Sequence, residues 1–523
     1  MAPPRPGAIW LGALWLLLAL AAVGGAAAAE DAPAPVPPAR QSAPDSQPPL
    51  KPVVLPGAEK RPRLPARADT PLHLTLAEAI NRALVANRNL ANSQDNLESA
   101  RLTTVVAESD FELKIYPQAG VSFSSADSDS GYNTYALGLK LEKKFSTGTK
   151  ASVAPVVSLS GDSYKTGLDM RLTQPLFRGT SREFNLSPVQ GAQYWDRTAR
   201  RSFYLAQVST VVETVSGVYE VIRQRELVRL NEDAARRLSG FAQAAMAKEK
   251  AGLATPIDVF RASIQLKQAE DSLTNAREGF QDAADNLKVL LALKQDEAIL
   301  LEAPLSYQAL NISEDKAVEM ALERRVELEQ AADAVNEAQR LSRVAKHNTL
   351  PQLDLALNYQ RFGTANDFND SMLFDRDSKS LSLVTSSDLT RTAETAQYQQ
   401  SLLGVQAATR NREDRRDDVV RQVRRELRNL RRGQERIKNQ QEQIRQAEGQ
   451  LELAQVKFQH GLTDNFTLLE AENRLRQAQT TLLSLVVDYI VGTYRVRAAL
   501  GTLVERSGPP AIKDMDFSLP VKP

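Results

Sequence analysis

The chain of 523 residues contains no cysteine, only three histidines and few aromatic residues, which make up 6% of it. Without cysteine there are no disulfides, no thiol catalysis and no lipid-modified cysteine at a cleavage site. His73, His347 and His460 lie far apart in the sequence and lack metal-ligand spacing. No glycine-rich phosphate loop or nucleophile elbow is present either. We therefore expect no enzyme activity, no cofactor and no metal site.

The chain also lacks an excess of charge of either sign, with 65 basic and 64 acidic residues. This balance gives no general reason to expect a nucleic-acid partner. An arginine-rich stretch at residues 409–445 has acidic residues at helix-neighbour spacings and no aromatic residue, so it predicts a solvated, salt-bridged helix face. Asp417 and Asp418 are consecutive on this helix and point in different directions, which does not suit joint acid–base catalysis.

Long hydrophobic runs are missing after the first residues. Arg5 precedes an apolar run at residues 9–23, and Ala27 and Ala29 occupy cleavage positions, which predicts a signal peptide at residues 1–29. The run is shorter than the roughly 20 residues of a membrane span. Residues 30–73 are rich in proline and alanine and predict a flexible periplasmic arm. A mature chain that crosses a membrane must then do so as a closed barrel of strands.

An internal repeat organises the rest of the chain. The segment from Gly252 aligns without gaps with the segment from Gly461, an offset of 461 − 252 = 209 residues. Upstream, the segment from Ala79 aligns with the segment from Ala317, an offset of 317 − 79 = 238 residues. Self-similarity of this kind indicates a tandem duplication. We expect a first repeat at residues 74–300, a second at 301–505, and a C-terminal tail at 506–523.

Both repeats show the same order of local signals. A capping box at Thr75 and Glu78 predicts a helix to about residue 108, and its counterpart runs from about 313 to before Pro351. Alternating strands follow. Helical stretches from about 188 to 250 and from about 393 to 459 then predict rods of roughly 90–100 Å. Each rod turns at a Gly-Leu pair and returns as a shorter helix, ending near residues 293 and 500, and such hairpins need coiled-coil partners.

The strands have one apolar face. Between Pro117 and Pro175 the pattern predicts four strands, with a turn at residues 146–149, whereas the second repeat has two. The strand with Asp169 and Arg171 has a charged polar face, which suits a water-filled lumen opposite a lipid face. A soluble sandwich would show the same alternation.

This order of elements, together with several local motifs, resembles the TolC-like outer membrane factor (outer membrane efflux protein) family from about Leu74 to Leu503. The motifs that carry the resemblance lie at residues 74–80, 172–179, 252–259, 460–462 and 469–471.

The resemblance implies a mainly α fold with a transmembrane β part. In it, a homotrimeric channel-tunnel joins one shared β-barrel to a long α-helical coiled-coil barrel. The expected location is the outer membrane, in contact with its lipid, with the helices in the periplasm. The expected function is a passive conduit for efflux or type I secretion, coupled to an inner-membrane transporter through a periplasmic adaptor (membrane fusion protein). An alternative is a periplasmic coiled-coil adaptor or structural protein without a barrel.

The resemblance also implies the roles of particular residues. Adaptor proteins are expected to dock at the hairpin turns Gly252, Leu253, Gly461 and Leu462. Glycine suits the left-handed backbone at a helix end, and an exposed leucine offers a knob to a partner.

The family closes the periplasmic entrance with a Tyr, Arg and Asp network beside these turns. Here Asp258 occupies the Asp position, but Phe458 and Thr463 fill the Tyr and Arg positions. Asp258 also suits a simple helix cap with Thr255. Glu470 falls where the family often has a cation-binding acidic ring, and a solvated carboxylate is the equal alternative.

The family's barrel has twelve strands, two from each repeat. The four strands predicted in the first repeat therefore leave two possibilities: an extra hairpin outside the barrel, which we expect, or a barrel with more strands.

Overall fold

The computed structural model describes residues 72–124, 132–252, 254–306, 312–388, 390–460, 462–463 and 465–506. The predicted signal peptide, residues 30–71 of the predicted arm and residues 507–523 of the predicted tail lie outside these ranges.

The elements repeat in the two halves of the chain. The first half contains β1 (Leu72–Thr75), α1 (Leu76–Ala86), α2 (Arg88–Ser109), β2 (Leu113–Ser124), β3 (Tyr132–Lys144), β4 (Lys150–Ser160), β5 (Ser163–Pro175), α3 (Arg182–Asn185), α4 (Ser187–Lys250) and α5 (Pro256–Leu290). The second contains β6 (Ile299–Glu302), α6 (Glu314–Arg324), α7 (Val326–Asn348), β7 (Leu353–Ala365), α8 (Phe368–Ser371), β8 (Arg376–Thr385), α9 (Thr392–Gln459) and α10 (Asn465–Ala499).

The two longest helices have the predicted bounds to within a residue or two. Helix α4 has 64 residues and α9 has 68, so each is a rod of about 100 Å. The 35-residue helices α5 and α10 run back along them. On α5, four buried alanines follow one another at intervals of seven residues: Ala262, Ala269, Ala276 and Ala283. This heptad spacing of a small residue lets α4 and α5 pack closely as a coiled coil.

The helix at the start of each repeat is broken, which the sequence analysis did not predict. The capping box of α1 is present, because the backbone N–H of Thr75 donates to Glu78 at 2.8 Å and that of Glu78 donates to the Thr75 hydroxyl at 3.3 Å. At the break, buried Asn87 accepts a hydrogen bond from the N–H of Leu90 at 3.1 Å. Its amide donates to the carbonyl of Leu290 at 3.0 Å. A cap with a distant tertiary partner thus ends one helix and begins the next.

Within the described residues, six antiparallel strands form one sheet, in the order β2-β3-β4-β5-β7-β8. The repeats share it, because β5 pairs with β7 along its whole length, from Tyr164↔Ala365 to Pro175↔Asp354. The predicted turn at residues 146–149 is present and joins β3 to β4. The extra hairpin that we expect outside the barrel is β3–β4, and in this chain it is paired between β2 and β5 as part of the same sheet.

A second, parallel pair of strands, β1 and β6, was not predicted. Leu72 pairs with Ile299 and His73 with Leu300. The end of the predicted arm at residue 73 is therefore corrected, because its last two residues already belong to this pair of strands. Four-residue strands carry too little alternation to be recognised from sequence alone.

The described part of the chain is mainly helical, and none of its helices has a stretch apolar and long enough to span a membrane.

Candidate functional site

The turns at the far ends of the two helical hairpins lie about 100 Å along α4 and α9 from the sheet. At the first turn, Gly252 has φ +70°, and a Cβ added there would meet no atom within 4 Å. Glycine is therefore favoured at this position because the backbone is left-handed, and not because neighbouring atoms leave no room for a side chain. At the second turn, the Leu462 side chain is 76% exposed. The predicted docking residues Leu253 and Gly461 lie outside the described residues.

Asp258, predicted at the entrance, forms the capping box of α5. Its carboxylate accepts hydrogen bonds from the Thr255 hydroxyl at 2.7 Å and from the Thr255 backbone N–H at 3.1 Å. These two hydrogen bonds hold the pKa of the Asp258 carboxyl below its usual value, and the bond from the Thr255 hydroxyl has the larger effect. The local cap interpretation of Asp258 therefore agrees with the geometry.

Lys248, on the last turn of α4, joins the first hairpin to the second at Phe458 near the end of α9. The Lys248 Nζ lies 3.6 Å from the centroid of the Phe458 ring and donates to the Phe458 carbonyl oxygen at 2.9 Å. A cation held over an aromatic face is attracted by the ring quadrupole. Sequence reasoning singled out Phe458 and missed Lys248, because no local pattern relates residues 210 positions apart.

A buried ion pair joins the two hairpins further from the turns. The Glu472 carboxylate on α10 is only 1% exposed and accepts a hydrogen bond from Arg237 Nε on α4 at 2.6 Å. Its other oxygen, Oε2, has no hydrogen-bond partner among the described residues. Asn473, the next residue, donates to Gln265 on α5 at 3.1 Å. These cross-hairpin contacts were also missed by sequence reasoning.

Glu470 and Thr463, the other residues predicted at the entrance, do not take part in that ion pair. Glu470 is half-exposed and accepts a hydrogen bond from Arg474, one helical turn on, at 2.6 Å. Thr463 is partly buried in the second turn. Within the described residues, no group of three or more His, Asp or Glu side chains is placed to hold a metal ion.

Part of the second repeat, residues 317–502, matches the model of the family described as outer membrane efflux protein. No curated protein matches the chain.

Solved structures are similar over most of the chain. The outer-membrane channel OprN gives a TM-score of 0.65 at 16% identity, covering 82% of this chain and 90% of that chain. CusC, a protein that forms a transmembrane channel, gives 0.65 at 16% identity, with 88% and 99% covered. The outer membrane protein VceC of Vibrio cholerae gives 0.65 at 16% identity, with 82% and 96% covered. The fold of this chain is therefore that of these solved channel structures.

The resemblance stated from the motifs is thereby confirmed, and the expected outer-membrane location agrees with that of OprN and VceC. At the tips of the two hairpins, Lys248 contacts Phe458. Asp258 accepts hydrogen bonds from Thr255 at the N-terminus of its own helix, α5.

Proposed function

We propose that this chain is one of three identical subunits of an outer-membrane channel-tunnel, a passive conduit for efflux or type I secretion. This proposal rests mainly on one observation: the same chain combines a sheet whose apolar face is uncovered with helical rods of about 100 Å. On that face, Leu172, Leu357 and Leu381 are between 39% and 67% exposed. A sheet that leaves large apolar side chains uncovered requires another apolar medium or partner.

Association of three copies would pair the sheet edges that are open in a single copy. The edge strands β2 and β8 have a neighbour on one side only, within the described residues, and unpaired backbone groups are costly in lipid. Because the sheet has an even number of antiparallel strands, β2 and β8 run in opposite directions. Joining β8 of one copy to β2 of the next therefore continues the antiparallel pattern and removes the open edges.

The energy for transport would come from an inner-membrane transporter, engaged through a periplasmic adaptor at the two turns. Opening would then require the hairpin tips to separate near Phe458, Thr463 and Asp258. The alternative, a periplasmic coiled-coil adaptor or structural protein without a barrel, accounts for the helices. It offers no reason for the apolar sheet face.

The proposal is tested by purifying the mature chain from outer membranes in detergent, determining its unheated mass and recording conductance in a planar bilayer. A trimer with discrete conducting steps supports the channel. A soluble protein without heat-modifiable oligomers would favour the adaptor instead.

Replacing Lys248 by methionine is expected to raise the open probability of the reconstituted channel several-fold. The change removes a cation–π contact and a hydrogen bond from a charged donor, each worth on the order of 1 kcal/mol, in each of three copies. Lys250→Met is the matched control, since it removes the same charge from an exposed position two residues away. Equal open probabilities of the two variants would mean that Lys248 does not hold the tip closed.

A further inference from the structure

The hairpin β3–β4 is an insertion in the first repeat when the two halves of the chain are compared. In the second repeat, β7 follows a helix and β8 leads into the long helix α9, with only the four-residue α8 between them. In the first repeat, β2 follows a helix and β5 leads towards α4, but β3 and β4 lie between them. The β3–β4 turn at residues 146–149 faces the helical end of the sheet without joining any helix.

Strands β2 and β5 pair without interruption with the two strands of this hairpin and so incorporate it in the sheet. Strand β2 pairs with β3 from Leu113↔Lys143 to Ser124↔Tyr132, and β4 pairs with β5 from Lys150↔Thr173 to Ser160↔Ser163. The β3–β4 ladder is interrupted beside Pro155, which lacks an N–H to donate. Its register is unchanged across the gap, however, because both Gly138↔Val156 and Leu141↔Val153 belong to the same alignment.

The hairpin continues the apolar face of its neighbours. Tyr135, Leu137 and Leu139 on β3 are 49%, 45% and 37% exposed, although β3 has a strand on each side. These values match those of Met170 and Leu172 on β5, at 38% and 39%. All the residues of the hairpin that share this face between Tyr135 and Leu141, and between Ala151 and Leu159, are uncharged.

On the opposite face of the hairpin, polar side chains alternate with the small or apolar residues Ala136, Gly138, Ala154 and Val156. Lys140 and Glu142 form an ion pair at 2.6 Å, and the hydroxyls of Thr134 and Ser160 are 2.9 Å apart. On the neighbouring strands, Arg171 donates to Asn358 at 2.8 Å on the same face. Two faces of opposite character are expected for a wall between lipid and a water-filled lumen.

The hairpin is also long enough to cross the hydrocarbon layer. Strand β3 has 13 residues and β4 has 11, against about 9–11 residues for a tilted transmembrane strand.

We propose that the apolar face of the β3–β4 hairpin contacts membrane lipid as part of the channel wall. Three six-stranded sheets would then close a barrel of eighteen strands in place of the twelve that the family resemblance implies. This inference rests on the proposed trimeric channel. Since barrel diameter grows roughly in proportion to strand number, the outer-membrane part would be about 1.5 times as wide as a twelve-stranded one.

The absence of cysteine allows a direct test with single-cysteine variants of the full chain in lipid vesicles. Leu139→Cys and Lys140→Cys sample the two faces of β3. Leu172→Cys and Arg171→Cys are the matched pair on β5. We expect Lys140→Cys and Arg171→Cys to react with a charged, water-soluble thiol reagent. Leu139→Cys and Leu172→Cys should react on the order of tenfold more slowly, because apolar surroundings disfavour the reactive thiolate.

A second readout identifies what covers the apolar face. A fluorescent label at Leu139→Cys or Leu172→Cys should be quenched by lipids carrying a nitroxide on the acyl chain, and a label at Lys140→Cys should not. Fast reaction at both β3 positions, with normal alternation on β5, would place the hairpin outside the wall and overturn the inference. Slow reaction at Leu139→Cys without lipid quenching would show a protein cover and would also overturn it.

The same variants separate this inference from the proposed function. If the β5 pair itself shows no alternation, or if the protein forms no trimer, the channel proposal fails first. For the intact trimer, a strand count by electron cryomicroscopy should give eighteen, and a count of twelve would refute the inclusion of the hairpin.

Discussion

Replacing Arg237 by alanine is expected to destabilise the packing of the two helical hairpins by roughly 3 kcal/mol. The Glu472 carboxylate is 1% exposed and Arg237 is its ion-pair partner at 2.6 Å. Removing one partner of a buried pair leaves an uncompensated charge, which typically costs about 3–5 kcal/mol. We expect a cost at the lower end of this range because the Arg237 side chain is itself 38% exposed. A lower temperature of cooperative unfolding, followed by far-ultraviolet circular dichroism in detergent, measures this loss.

The neighbouring residue provides a matched control for this prediction. Arg236 forms an ion pair with Asp233 at 2.6 Å, but it is 75% exposed, so Arg236→Ala should cost at most about 1 kcal/mol. Adding Glu472→Gln to Arg237→Ala should recover part of the lost stability, because a neutral amide is cheaper to bury than a carboxylate. Equal effects of the two arginine substitutions, or no recovery in the double variant, would contradict the importance of the buried charge.

Replacing Leu462 by aspartate is expected to abolish export while leaving trimers inserted in the outer membrane. Leu462 is 76% exposed at the second turn, and burying a leucine against a partner contributes about 1.5–3 kcal/mol. Aspartate removes this contribution and adds the cost of desolvating a charge. The substitution would act in three copies at once. Because the side chain lies in solvent in the described structure, the fold should not depend on it.

The measurement combines cellular export with the amount of unheated trimer in outer membranes. Leu462→Met is the control, since it keeps an apolar side chain of similar volume and should export normally. We expect Leu253→Asp at the first turn to act in the same way. Normal export with Leu462→Asp would exclude the second turn as an adaptor-docking site.

Local patterns in the sequence were sufficient for much of this architecture. The long helical stretches without internal proline and the Gly-Leu turns placed α4 and α9 to within a residue or two. The alternation of apolar residues predicted the strands of the large sheet and the turn at residues 146–149. The capping box at Thr75 and the helix cap at Thr255 were visible for the same reason. Each of these signals depends on residues within one or two turns of each other.

Contacts between distant parts of the chain decided the remainder. The position of β3 and β4 inside the sheet depends on which strands they pair with. The same alternating sequence would suit a hairpin inside the sheet or one outside it. The break at Asn87 depends on Leu290. The link between Lys248 and Phe458 and the ion pair of Arg237 with Glu472 join residues 210 and 235 positions apart. The sequence alone determined the rods, strands and turns because hydrogen bonding and periodicity are local, whereas only the tertiary structure decided which of them meet and which charges are buried there.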